Sequence, residues 1–153
     1  MNWDEYYQDI TYDIAAKSKD RSSRYGAVVT DVSRRIISTG YNGIPRGLEY
    51  REDYHSRPDK YMYFVHAEQN AIFAAAANGT ALEGGVIYVI KPPCAECVKA
   101  IIQAGIREIV YYENHDETNE ERSALDVENW RATLAAAGNM LRLTATTIRK
   151  ADV

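Results

Sequence analysis

Three residues of the 153-residue chain stand out as candidate ligands of one metal ion: His66, Cys94 and Cys97. Zinc accepts imidazole and thiolate. A structural zinc closes its shell with four protein ligands, whereas a catalytic zinc keeps one position open for water. Three ligands with no fourth nearby match the catalytic count. Cys94 and Cys97 are three apart, so on a helix they face the same way. Pro92 and Pro93 before them suit a helix start, where the partial positive charge of the helix end lowers a thiol pKa. His66 also opens a helical run, so two helix N-termini can converge on one ion. Glu68, two residues further on, is placed to reach the water without ligating the metal. Zinc lowers the pKa of its bound water to roughly 7. Glu68 can take that proton and hand it to a ring nitrogen and a leaving amine. A zinc that only stapled the fold would lack its fourth ligand and leave Glu68 unexplained.

The periodicity of the chain supplies elements to carry these residues. Asp4 to about Lys17 places Tyr6, Tyr7, Ile10, Ile14 and Ala15 at helical spacing. Gly26-Asp31 and Arg35-Gly40 are short β-type runs joined by the hairpin-length Val32-Ser33-Arg34. Tyr41 to about Tyr63, rich in Gly, Pro and charge, reads as a long loop, a kind of segment that is often functional. A helix is predicted from His66 to Ala77, ending at the natural C-cap Asn78-Gly79. A strand follows at Val86-Lys91, then a helix from Cys94 to Ala104 capped by Gly105, and a strand at Ile106-Tyr112. Glu113-Asn119 is a polar loop. A helix from Glu120 to Ala137, stopped by Gly138, and a strand at Met140-Ile148 complete the order. A hairpin followed by β-α-β alternation predicts an α/β fold, one mixed sheet with helices on its faces, the central helices crossing over in right-handed units. The length predicts a single domain over 1–153.

Hydrophobic residues make up 46% and charged residues 26%, both ordinary for a globular protein. No apolar run approaches the roughly 18 residues of a membrane helix, and the polar start Met1-Asn2-Trp3-Asp4-Glu5 is unlike a secretory signal. The expectation is a cytoplasmic protein with no membrane partner, in which a C-x-x-C pair reads as metal-binding or redox before structural. The net charge is −4, and Arg and Lys are scattered. A nucleic-acid partner is disfavoured, because gripping a polynucleotide backbone usually takes a basic patch. A small anion needs only one or two cations and a few backbone N–H groups.

His66-Ala67-Glu68 together with Pro93-Cys94-Ala95-Glu96-Cys97 reproduces the H-x-E…P-C-x-x-C pattern of the zinc deaminases. Further matching segments are Ser18-Lys19-Asp20, Gly26-Ala27-Val28-Val29, Gly40-Tyr41-Asn42-Gly43-Ile44-Pro45-Arg46-Gly47 and Tyr63 through Ile72. On these the chain, from about residue 3 to 120, resembles the deoxycytidylate deaminases of the cytidine deaminase-like superfamily. The glycine-rich segment points to this branch. The resemblance implies a three-layer α-β-α sandwich around a five-stranded mixed sheet and one zinc per subunit. It implies hydrolysis of dCMP to dUMP and ammonia, which supplies dUMP for dTMP synthesis. It also implies a homo-oligomer, often a hexamer, and regulation by dCTP and dTTP. By it, Glu68 shuttles protons, His66, Cys94 and Cys97 hold zinc, the Ala67 N–H faces the pyrimidine carbonyl oxygen, and Asn42 meets the sugar hydroxyl. Deamination of cytidine, guanine or an RNA adenosine, and a silent zinc-stapled binding module, are the alternatives.

Several positions stay open on the sequence. Asn42, between glycines, equally suits a left-handed turn. Ser22, Lys19 and the glycine-rich turn are candidates for the 5′-phosphate, and Lys19, Arg24, Tyr41 and Gly43 for an effector. Arg21 and Arg24 stand where relatives often carry Pro and an uncharged polar residue; they read as anion contacts or as solvated surface. His115 falls where the family often has a Tyr over the base, and reads as a stacking residue or an exposed one. With no spare Cys for a second zinc, His55 reads as surface. Tyr50, Tyr54, Tyr61 and Tyr63, among 12 tyrosines, are candidates for a subunit interface.

Overall fold

The computed structural model describes residues 1–115 and 123–153. Among these it forms a five-stranded sheet in the order β2-β1-β3-β4-β5. Strands β1 (Gly26–Thr30) and β2 (Ile36–Tyr41) form the hairpin, and β1 also pairs antiparallel with β3 (Val86–Val89). From there the sheet turns parallel, β3 with β4 (Glu108–Tyr111) and β4 with β5 (Thr147–Lys150).

The central strands are buried on both faces, so they read as near-continuous apolar runs, as strands covered by helices should. Alternate side chains divide between two cores. Tyr7 of α1 (Trp3–Ala15) packs with Val28, Tyr88 and Val110 on one face. Val29, Ile87, Val89 and Ile109 pack on the other face, against α3 (Ala67–Asn78), α4 (Ala95–Gln103) and α5 (Ala124–Arg142). The result is the expected three-layer sandwich. Gly40 lets α3 lie directly on β2: a Cβ there would stand 2.3 Å from the Ala71 nitrogen and 2.4 Å from the Ala67 oxygen.

Three local expectations change. The 41–63 segment is not all loop; it holds a 3₁₀ turn, Glu52–His55, and the short helix α2, Asp59–Tyr63. Gly138 does not stop the last helix, which continues to Arg142. Ala137 and Leu141, one turn apart across the glycine, are both buried in the core. That burial outweighs the ~1 kcal/mol a helical glycine costs. Met140 therefore belongs to the helix, and the last strand is Thr147–Lys150. The start expected at Glu120 lies outside the described residues; the helix is capped at Ser123, whose side chain accepts from the Asp126 N–H.

Strand direction decides where a site can form. The carboxyl ends of β3 and β4, the amino end of β1 and the carboxyl end of β2 lie together, because Ala27 pairs with Val89 and Gly26 with Tyr41. In open α/β sheets that end is where ligands bind.

Candidate active site

His66 and Cys94 are the N-cap residues of α3 and α4, and neither side chain caps its own helix. They turn toward each other instead. Nδ1 of His66 lies 3.4 Å from Sγ of Cys94 and 3.3 Å from Sγ of Cys97. With usual zinc–nitrogen and zinc–sulfur bond lengths, a tetrahedral site has an N–S edge of about 3.6 Å, so the donor set fits zinc. The three donor atoms lie within 4.8 Å of one another. α5 braces this end: Oγ1 of Thr133 accepts the Ala95 N–H at 2.9 Å.

The electrostatics favour a cation. Hydrogen bonding from Cys97 carries the Cys94 thiol down to about 4 against the opposing effect of burial, helped by His66. Cys97 is pushed up by its hydrogen bond to Cys94 and by burial. A divalent ion held by both sulfurs binds them as thiolates, so binding releases any thiol proton. Glu68 follows at the second position of α3, its Oε2 3.7 Å from Sγ of Cys97. Burial raises its carboxyl above the usual range, with His66 partly opposing.

His66, Glu68 and Cys94 line a cleft that also takes in Ala67, Asn42 and His115. Asn42 is buried and not in a left-handed turn. Its Oδ1 accepts the Tyr25 N–H at 2.8 Å, and its Nδ2 donates to Oδ2 of Asp20 and the Ser23 carbonyl. Nε2 of His115 lies 2.7 Å from the Pro92 carbonyl, and its ring meets Trp130 edge-on at 4.8 Å.

Other expected residues lie outside the cleft lining. Ser23, not Ser22, lines it; the Ser22 hydroxyl instead accepts from Nζ of Lys60 at 2.6 Å. Lys19, Arg24 and Tyr41 are exposed. Gly43 exchanges two backbone hydrogen bonds with Val65 (3.1 and 2.7 Å), tying the glycine-rich turn to the approach to His66. Arg21 pairs with Glu52. His55 is half-buried rather than surface, packed between Tyr50 and Phe64. Tyr54 is buried against Tyr63, while Tyr50, Tyr61 and Tyr63 stay exposed.

The cleft also holds Arg57, Lys60, Tyr61, Phe64 and Trp130, whose place in it no local pattern of the chain marks. Lys60 is buried and pairs with the buried Asp20, 2.9 Å to Oδ1 and 2.7 Å to Oδ2. The carboxyl of Asp20 is pushed up by burial, but Lys60 and the Ser22 and Ser23 amides outweigh this and hold it below the ordinary range. One signal for α2 itself was present, a Pro followed by an acidic residue at a helix start, Pro58-Asp59.

Residues 1–113 match the model of the cytidine and deoxycytidylate deaminase zinc-binding region. The deoxycytidylate deaminase of Mus musculus is 38% identical over 130 residues, covering 81% of this chain and 72% of its own. That of Homo sapiens is 37% identical over 130 residues with the same coverage. The crystal structure of the dCMP deaminase from cyanophage S-TIM5 superposes with a TM-score of 0.72 at 22% identity, covering 96% of this chain and 95% of that one. A metal-fitting His-Cys-Cys cluster, an adjacent carboxylate and these likenesses agree: the chain belongs to the cytidine and deoxycytidylate deaminase family.

Proposed function

We propose that the chain catalyses zinc-dependent hydrolysis of dCMP to dUMP and ammonia, supplying dUMP for dTMP synthesis. The observation that carries the reading is Glu68 beside the His66-Cys94-Cys97 cluster in an open cleft. The choice of dCMP among amine-bearing bases is supported by the relatives named deoxycytidylate deaminase. The S-TIM5 enzyme of the same fold has been solved in complex with dCMP and dUMP.

His66, Cys94 and Cys97 would hold zinc, which when bound supplies a Lewis-acidic centre that brings the pKa of water near 7. Glu68 takes the proton of the water that adds to C4 of the cytosine and delivers it to N3. It then takes the remaining proton from the new C4 hydroxyl and passes it to the departing amine, so that the C4–N bond breaks, ammonia leaves and C4 becomes a carbonyl. The raised pKa of Glu68 suits a group that must both accept and return a proton. The N–H of Ala67, at the first turn of α3, donates to the pyrimidine C2 carbonyl oxygen. Asn42 spends its donors on Asp20 and Ser23, leaving a second lone pair on Oδ1 to accept from the sugar hydroxyl. His115, steadied by Pro92 and Trp130, covers the base.

The proposal extends to a homohexamer in the cytoplasm, with dCTP and dTTP as effectors acting through Lys19, Arg24, Tyr41 and Gly43, all outside the cleft lining. Light scattering, cell fractionation and assays with added dCTP or dTTP test these points. The decisive experiment is ammonia release and loss of cytosine absorbance from dCMP, CMP, deoxycytidine and dCTP, with the zinc-loaded protein. Turnover of dCMP is expected, and Glu68→Ala keeps zinc and loses it. Turnover that survives that substitution would sink the mechanism.

A further inference from the structure

We propose that the guanidinium of Arg57 binds the 5′-phosphate of the substrate and sets the preference for the nucleotide over the nucleoside. The inference rests on the proposed deamination of dCMP and names the specificity residue of that site. Three Arg or Lys side chains line the cleft among the described residues: Arg57, Lys60 and Lys91. Lys60 is committed, both carboxylate oxygens of Asp20 lying within 2.9 Å of its Nζ. Lys91 lies 4.0 Å from a carboxylate oxygen of Glu113. Arg57 forms no ion pair among the described residues, so a phosphate entering the cleft meets one cation whose charge is not already balanced.

The side chain is also held ready. Its Nε donates to the Tyr61 hydroxyl at 2.7 Å, and its guanidinium carbon stands 5.6 Å from the centre of the Tyr61 ring. That fixes the plane of the group while leaving both terminal nitrogens, the pair that grips a phosphate with two parallel hydrogen bonds. Arg57 is half-buried, where such contacts are less screened than at an open surface. Lys19 and Arg24, cations the sequence offered for an anion, are exposed and absent from the lining.

The test compares Arg57→Met, which keeps the stem over Tyr61, and Arg57→Lys with the zinc-loaded wild type. Both dCMP and deoxycytidine are assayed for kcat/KM. Without its charge-assisted hydrogen bonds to the phosphate, Arg57→Met shows a dCMP-to-deoxycytidine ratio about 10- to 150-fold lower, mostly through KM. Arg57→Lys retains part of the preference. A ratio unchanged within about twofold, or an equal loss on both substrates, overturns the assignment. If the wild type turns over neither compound, the deamination reading fails on its own. Calorimetric binding of dCMP and deoxycytidine then judges Arg57 separately: a preference for dCMP that Arg57→Met erases supports it, and a preference that persists, or none at all, overturns it.

Discussion

Replacing Lys60 with methionine probes the pair that holds the floor of the cleft together. The Lys60 side chain is 10% exposed and that of Asp20 1%, so neither charge has water to fall back on. Removing one partner of a buried pair costs about 3–5 kcal/mol, because the other charge stays behind uncompensated. Here the carboxylate keeps the Ser22 and Ser23 amides, at 2.9 and 3.1 Å, and Nδ2 of Asn42 at 3.1 Å. The expected loss is therefore at the low end, about 3 kcal/mol, a large share of a typical total of about 5–15 kcal/mol. Urea unfolding of the zinc-loaded protein, at one fixed protomer concentration, reads it. Asp20→Asn strands the ammonium and costs a similar amount. The double variant strands neither charge, so its loss falls short of the sum of the singles by about 1 kcal/mol or more. The pH dependence follows from the depressed Asp20 carboxyl. The pair's contribution is fully present above the unfolded value of about 3.9 and is lost as pH falls through the lower folded value. The gap between wild type and Lys60→Met therefore narrows below about pH 4. A Lys60→Met loss below about 1 kcal/mol, the scale of an exposed pair, or singles that simply add, would refute the reasoning.

Gly40→Ala is expected to lower the melting temperature and turnover together. The added carbon meets backbone of α3, which must shift the helix that carries Glu68, at a cost of about 1–3 kcal/mol or more. Gly43→Ala, which meets nothing within 4 Å, serves as the tolerated control in the same melts. Chelation should remove about one zinc per chain, measured by atomic absorption, along with turnover that added zinc restores; Cys97→Ser should lower zinc content and activity in parallel. Asp4 accepts two hydrogen bonds from Arg149 (2.6 and 3.0 Å), joining α1 to β5. This bond, opposed by burial and helped by the Asp152 N–H, holds the Asp4 carboxyl below its ordinary value. Because Arg149 is 43% exposed, Arg149→Met should cost only about 1 kcal/mol at pH 7. The difference, followed by urea unfolding, should be present above about pH 4 and fade as pH falls through the folded value of Asp4.

His66, Glu68, Cys94 and Cys97 could be read from the chain because they are short-range signals: each pair lies within one helical turn, and Pro92-Pro93 mark the start of the second helix. The first four strands were legible for a similar reason, as short β-type runs set off by turn residues, whereas the last, Thr147–Lys150, is exposed and carries no apolar run. Gly138 misled because the burial of Ala137 and Leu141, which carries the helix past it, is a tertiary fact. Asn42 was visible as a turn candidate, but its role as acceptor for Tyr25 and donor to Asp20 depends on chain positions 17 and 22 residues away.

The sequence by itself determined the donor types, the carboxylate that stands beside them and the order of the strands and longer helices, since residue chemistry and local periodicity are properties of adjacent residues. Only the tertiary structure decided which side chains face the cleft. Ser23 lines it while Ser22 does not, and Lys60 is buried against Asp20, forty residues away in the chain. Of the described cations that line the cleft, Arg57 is the one left without a carboxylate. Whether a charge is free or already balanced is set by which partners the fold brings within a few ångströms, and no spacing along a chain encodes that.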